Sequence, residues 1–155
     1  MAIGSMPTPP IDGSDHPDFP LHRRDKLSPI NLKRIQTLKP GQASDDLPPE
    51  LRPQCHKNGG LSVGYPSTYG RMEWDAPAPT ITARFDSFTR GKFGHPEEDR
   101  TISLREGAIL QTFPEDYVFS GNKVDIARQI GNAVPPVMAE KIGLSIIECF
   151  EKLKK

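Results

Sequence analysis

Cysteine is scarce in this chain of 155 residues: Cys55 and Cys149 are the two present, far apart and without zinc-ligand spacing. That excludes a disulfide scaffold and points to a reducing compartment, here expected to be the cytoplasm. Charge of one sign is also missing. Lys+Arg and Asp+Glu stand at 20 each, so no net field draws the chain to nucleic acid or to an anionic membrane. No apolar run nears the ~18 residues that a membrane span requires. The opening Met1–Pro7 has neither the charged nor the apolar block of a signal peptide. Hydrophobic residues reach 35%, against a usual ~45–50% in a count that includes glycine. The core should be thin for the length.

Chemistry-bearing patterns are equally sparse. Neither G-x-G-x-x-G nor G-x-x-x-x-G-K occurs, which excludes the common phosphate and dinucleotide loops. His16, His22, His56 and His95 are scattered over expected loops, with no spacing that builds a metal site. Cys55 and His56 are adjacent, an arrangement that does not let one activate the other in line. Glu97-Glu98-Asp99 reads as a solvated acidic turn. By its chemistry alone the chain is not a self-sufficient enzyme.

What is abundant is proline. Of 17 prolines, 11 lie within residues 1–66. Residues 1–27 hold Pro7, Pro9, Pro10, Pro17 and Pro20 with little apolar content, so they form an irregular arm without the means to fold alone. A short helix is expected from Ser28 to about Lys39, with Pro29 at its first position and Pro40-Gly41 ending it. Residues 41–66 read as loop. The alternation Thr80-Ile81-Thr82-Ala83-Arg84-Phe85 predicts a strand, its start limited by Pro77 and Pro79. A helix over Ser103–Thr112 follows, with Ser103 and Glu106 at capping-box spacing. A short turn of helix at Asp125–Ile130 closes on Gly131, a good left-handed cap. Pro135-Pro136 opens the last helix, where Met138, Ile142, Ser145, Cys149 and Leu153 recur at helical spacing beside Ile146 and Phe150. Cys149 on that stripe is most simply a small buried hydrophobe.

Two segments stand out. Arg100-Thr-Ile-Ser-Leu-Arg-Glu-Gly-Ala-Ile-Leu-Gln-Thr-Phe-Pro114 packs charge and core into one short helix. Gln129-Ile-Gly-Asn-Ala-Val-Pro-Pro136 is a tight loop between helices, able either to present main-chain groups to a ligand or to serve as a rigid turn. In this order they resemble motifs IX and X of the DNA cytosine-5 methyltransferases. Upstream, Tyr69-Gly-Arg-Met-Glu-Trp-Asp75, Pro77-Ala-Pro-Thr-Ile-Thr82 and Gly91-Lys-Phe-Gly-His-Pro96 resemble the target-recognition region of that family. Leu27–Ile35 and Ala2–Pro7 resemble stretches of bacterial members. The family's catalytic half is not found: no Phe-x-Gly-x-Gly cofactor loop, Pro-Cys nucleophile, Glu-Asn-Val or Gln-x-Arg-x-Arg segment is identified. Pro53-Gln54-Cys55 holds the letters of Pro-Cys-Gln in the wrong order and region.

The resemblance implies an α/β family fragment. An irregular arm (1–27) would precede a small mixed α+β recognition region (28–125, with motif IX over 100–117). Residues 126–155 would carry the motif X loop and a helix that packs on a Rossmann-like catalytic domain borne elsewhere. It also implies S-adenosylmethionine as cofactor, shared with that missing half through Asn132, Ala133 and Val134, with no metal. Arg100, Arg105, Glu106 and Gln111 would organise the recognition region. Thr80 and Ile81 would lie near the DNA, and Arg71, Arg84, Arg90 and Lys92 are candidates for contacts to it, a plain surface charge remaining the alternative for each cation. The implied partners are double-stranded DNA and a complementary catalytic chain, with no membrane. The chain would supply recognition to a restriction-modification methyltransferase and be inactive alone. The alternatives are a truncated remnant, which the mid-sequence look of Ala2–Pro7 favours, and a stand-alone DNA-binding module.

Overall fold

The structure, a computed structural model, describes residues 2–54 and 68–153; Cys55 and His56 lie outside these. Helix α1 (Pro29–Thr37) starts where Ser28 is extended and Pro29 supplies a fixed φ, without a side-chain cap, and ends at an extended Leu38. It buries Ile35 and, just beyond its end, Leu38 against Leu47 and Phe88. Helix α2 (Leu104–Leu110) opens on the expected capping box: Glu106 N–H donates to Ser103 Oγ at 3.1 Å, and Ser103 N–H to Glu106 Oε2 at 2.6 Å. Single 3₁₀ turns sit at Ser44–Asp46 and Phe88–Arg90.

Helix α3 runs Lys123–Asn132, longer than the turn expected at 125–130, because the Asn122 side-chain Oδ1 accepts the N–H groups of both Val124 and Asp125. It therefore crosses the division drawn at 125/126. Gly131 is not its left-handed cap. The residue lies inside the helix, and an extended Ala133 caps it. What Gly131 provides is room: a Cβ there would sit 2.2–2.3 Å from backbone atoms of Thr82 and Ala83. A packing requirement, not a turn, makes this position a glycine.

The strand expected over Thr80–Phe85 does not form. Among the described residues the only β features are isolated bridges at His16–Phe19, Arg71–Gly94 and Gly94–Thr101, so the mixed α+β region is a helical body with irregular loops. The alternation places Ile81 and Phe85 in the core from a turn, closed by Phe85 N–H to Thr82 O at 3.1 Å.

The main core joins Ile81, Phe85, Phe93, Ile102, Leu104, Ala108 and the α3 residues Ile126, Ala127 and Ile130. The arm is irregular, as expected, yet it is packed. Ile3 enters the same core, and His22 is fully buried. Helix α4 (Pro136–Leu153) behaves oppositely: none of its residues is buried. Cys149 is accordingly exposed, which corrects its expected burial, because none of the described residues covers the stripe it sits on. No helix among the described residues is long and apolar enough to cross a membrane.

Replacing Gly131 by alanine should push the 82–83 loop away from α3. We expect a loss of about 1–3 kcal/mol, the usual cost of overpacking, read from the urea midpoint. An unchanged midpoint would show that the contact is not tight.

Candidate functional site

The most polar part of the interior lies around the first turn of α2. Arg100, 1% exposed, grips Glu106 with two hydrogen bonds, Nη1 to Oε2 at 2.7 Å and Nη2 to Oε1 at 2.8 Å. Its Nη2 also donates to Glu98 at 2.9 Å. Ser103 Oγ, which caps α2, lies 2.8 Å from His22 Nδ1, and His22 Nε2 donates to the Pro7 carbonyl at 2.6 Å. One carboxylate thus connects the capping box, the 98–100 turn and the arm. Burial alone would raise the Glu106 carboxyl, but the hydrogen bonds and charge of Arg100, with the Ser103 N–H, outweigh it and hold it below the usual carboxylate range. His95 stands beside this pair, its Nε2 3.9 Å from Glu106 Oε1. The backbone N–H groups of Glu97 and Glu98 both donate to His95 Nδ1, so the ring proton belongs on Nε2. Burial first, and the Arg100 charge second, push the His95 value down, against the opposing carboxylates.

The remaining arginines divide by burial. Arg71 is not placed to reach DNA. It is buried, and its guanidinium donates to the carbonyls of Ile35, Leu38, His95 and Glu98 and pairs with Asp99. It therefore ties the C-terminus of α1, where a cation is favoured, to the 95–99 turn. That turn is not merely solvated either, since Glu98 also receives Arg24 at 2.8 Å. Arg105 donates to Pro20 O at 2.9 Å and Tyr117 O at 3.3 Å, fastening the arm to α2. Arg84 and Arg90 are exposed and Lys92 is half-buried. Among the described residues Arg90 and Lys92 have no ion-pair partner.

Gln111 joins α2 to the α3–α4 junction. Its Nε2 donates to Ile130 O at 3.0 Å, which also accepts the capping Ala133 N–H, and to Ala133 O at 3.3 Å, just past the end of α3. Thr112, at φ 64°, turns the chain so that its Oγ1 accepts Val137 N–H at 3.2 Å, one of the free donors in the first turn of α4. Asn132 and Val134 are exposed and Ala133 is half-buried at this junction. The Gly131–Thr82 contact places the 80–83 loop, with Thr80 exposed and Ile81 buried, directly beside it. The residues expected near cofactor and near DNA therefore adjoin. Sequence reasoning missed the Gly131 contact, the burial of His22 and His95, and a charge chain at Asp25, Lys123 and Asp86; partners up to 98 residues apart leave no spacing signal. No group of three potential metal ligands occurs among the described residues.

The sequence profile of the C-5 cytosine-specific DNA methylases matches residues 20–148. The type II methylase M.HgiDII of Herpetosiphon aurantiacus is 47% identical over 97% of this chain, which corresponds to 43% of that protein. DNA (cytosine-5)-methyltransferase 1 of Mus musculus is 48% identical over 77% of the chain and 8% of its own length. DNA (cytosine-5)-methyltransferase 3 of Arabidopsis thaliana is 36% identical over 81% of the chain and 10% of its own length. The chain spans less than half the length of each of these relatives.

Replacing Arg100 by glutamine would strand the Glu106 charge in the interior, and we expect a loss of about 3–5 kcal/mol, measured by chemical denaturation. Acid should unfold the chain along the same line. A depressed His95 value means the unfolded chain takes the proton more readily, so the His95 contribution is full above 6.5 and is lost as the pH falls below it. Glu98 and Glu106 are held below 4.5, so their contributions are full above that value and vanish as the pH drops through their folded values. The denaturation midpoint should fall steadily from pH 7 to pH 4, and a flat profile would contradict the paired cluster.

Proposed function

The chain belongs to the C-5 cytosine-specific DNA methylase family, and from that premise we propose that it is the recognition part of a DNA cytosine-5 methyltransferase. In this reading residues 100–117 are motif IX, residues 129–136 are motif X, and the segment before them contacts double-stranded DNA. Methyl transfer to cytosine C5 needs a thiolate to add at C6, an acid to stabilise charge at N3, and a base turned out of the duplex. This chain offers no residue in the expected context for the first two. Cys149 lies on an exposed apolar helix face, remote in character from a nucleophile pocket. Its roles are to hold DNA and to close one side of the site.

The observation that carries this reading is the bare face of α4. Met138, Ile142, Ile146 and Phe150 are 56%, 47%, 51% and 61% exposed, and they share one side of the helix. At about 100° per residue these four span roughly a third of the circumference, the width of the apolar stripe by which a helix seats on a globular body. Each such side chain gains roughly 1.5–3 kcal/mol on full burial. We assign the covering body to a catalytic chain or domain that carries the nucleophile. Asn132, Ala133 and Val134, presented at the head of this helix, fit one wall of an S-adenosylmethionine site: an amide with both donor and acceptor capacity beside an exposed apolar valine. When bound, that molecule supplies an electrophilic methyl group. The residues of this chain orient it and exclude water. A cytoplasmic setting accords with the exposed free thiol.

Purified alone, the chain should transfer no labelled methyl group from S-adenosylmethionine to duplex DNA. Co-expressed with the part of the Herpetosiphon methylase that it does not match, it should co-purify and restore transfer. Activity of the chain alone would overturn this reading, as would failure of the two parts to associate.

A further inference from the structure

A second charge cluster lies apart from Glu106, where the arm, the 82–90 loop and the start of α3 meet. Lys123 Nζ is 2.6 Å from Asp25 Oδ2 and 3.2 Å from Asp86 Oδ2, and Arg84 Nε is 3.5 Å from Asp86 Oδ1. The four side chains line one polar pocket of about 270 Å³ together with Thr89 and Thr101. They are unequally buried. The Asp86 side chain is 5% exposed, whereas that of Arg84 is 51% exposed. Asp86 Oδ1 and Thr101 Oγ1 are both buried and have no hydrogen-bond partner. Asp86 is thus neutralised on one oxygen by the partly exposed Lys123 and faced on the other by an arginine too distant to bond it, since an N–H···O bond is normally 2.7–3.2 Å.

That asymmetry has a consequence. Arg84 is half in solvent and at 3.5 Å makes no hydrogen bond to Asp86, so its side chain is only loosely held there, and Lys123 stays with Asp86 if Arg84 leaves. The backbone under Arg84 is fixed by the Ser87 N–H to Arg84 O bond of 3.1 Å and by the abutment of Thr82 on Gly131. Only the side chain needs to move. A phosphate offers the guanidinium a two-point charge-assisted contact that Asp86 does not. We infer that Arg84 is a DNA-phosphate clamp whose readiness is set by Asp86, with Lys123 and Asp25 as the positioning pair behind it. This rests on the DNA-binding reading above. It adds that phosphate contact is tuned by residues that never touch DNA.

The test is a salt titration of the full chain binding a short mixed-sequence duplex, followed by fluorescence anisotropy, with thermal melting to verify each fold. Arg84→Gln should lower the slope of log affinity against log salt by about one, and Arg84→Lys should keep the slope while weakening binding. Asp86→Asn should raise affinity several-fold at an unchanged slope. Lys123→Met, which leaves Asp86 to Arg84 alone, should lower affinity at an unchanged slope. An unaltered slope in Arg84→Gln overturns the clamp. A slope change in Lys123→Met assigns the phosphate to Lys123 and overturns the positioning role. If Asp86→Asn does not fold, the Lys123→Met result decides that role. A wild-type chain with no salt-dependent binding overturns the DNA-binding reading itself.

Discussion

The fold depends on one buried ion pair, Arg100 with Glu106, set at the first turn of a helix of seven residues. A helix this short has little stability of its own, since nucleation fixes several residues for few hydrogen bonds. Its first turn is held because Glu106 serves three purposes at once. It accepts the Ser103 N–H, takes both terminal nitrogens of Arg100, and keeps a charge that would be costly to bury unpaired. Through Ser103 the same turn reaches His22, and through His22 the carbonyl of Pro7, so an arm without regular structure acquires a fixed path. Arg105 adds a second fastening at Pro20. A thin apolar core is offset by a polar one.

From that centre the constraint passes outward along α2. Gln111 closes the end of α3 and Thr112 accepts the first free donor of α4, so the junction carrying Asn132, Ala133 and Val134 is fixed from α2. Gly107 allows Phe85 to lie against α2, where a Cβ would come within 2.1 Å of its ring, and Gly131 does the same for Thr82. Both contacts press the 80–86 loop onto the helices. The proposed DNA-facing loop and the proposed cofactor-facing junction therefore share one rigid support, while α4 beyond them leaves its apolar face free.

Much of this was legible in the chain. The proline at 29, the Ser103–Glu106 spacing and the period of residues 138–153 located three helices, because helix starts and apolar stripes are local properties. The strand at 80–85 failed because alternation records which side chains face inward and says nothing of whether a partner strand exists. Gly131 reads as a cap in sequence because a glycine serving close approach and one serving a left-handed turn look alike there. Arg71 reads in sequence as a candidate DNA contact or a plain surface charge, because its carbonyl partners at Ile35, Leu38, His95 and Glu98 come from distant turns. Cys149 is exposed where its place on the apolar stripe predicts burial, because a periodic stripe shows which face is apolar and not whether anything packs on it. The family-like segments at 100–114 and 129–136 adjoin in space through the hydrogen bonds of one glutamine.

Hydrogen exchange on the isolated chain tests the central claim most directly, because it measures local opening residue by residue. We expect the amides of Gly94, His95, Ile102, Gly107 and Gln111, bonded around the Arg100–Glu106 pair, to exchange only through global unfolding. The amides of α4 from about Ile142 onward should exchange much faster, as a helix without tertiary support. Equal protection of α4 and the polar centre would contradict both the primacy of that ion pair and the vacancy of the helix face.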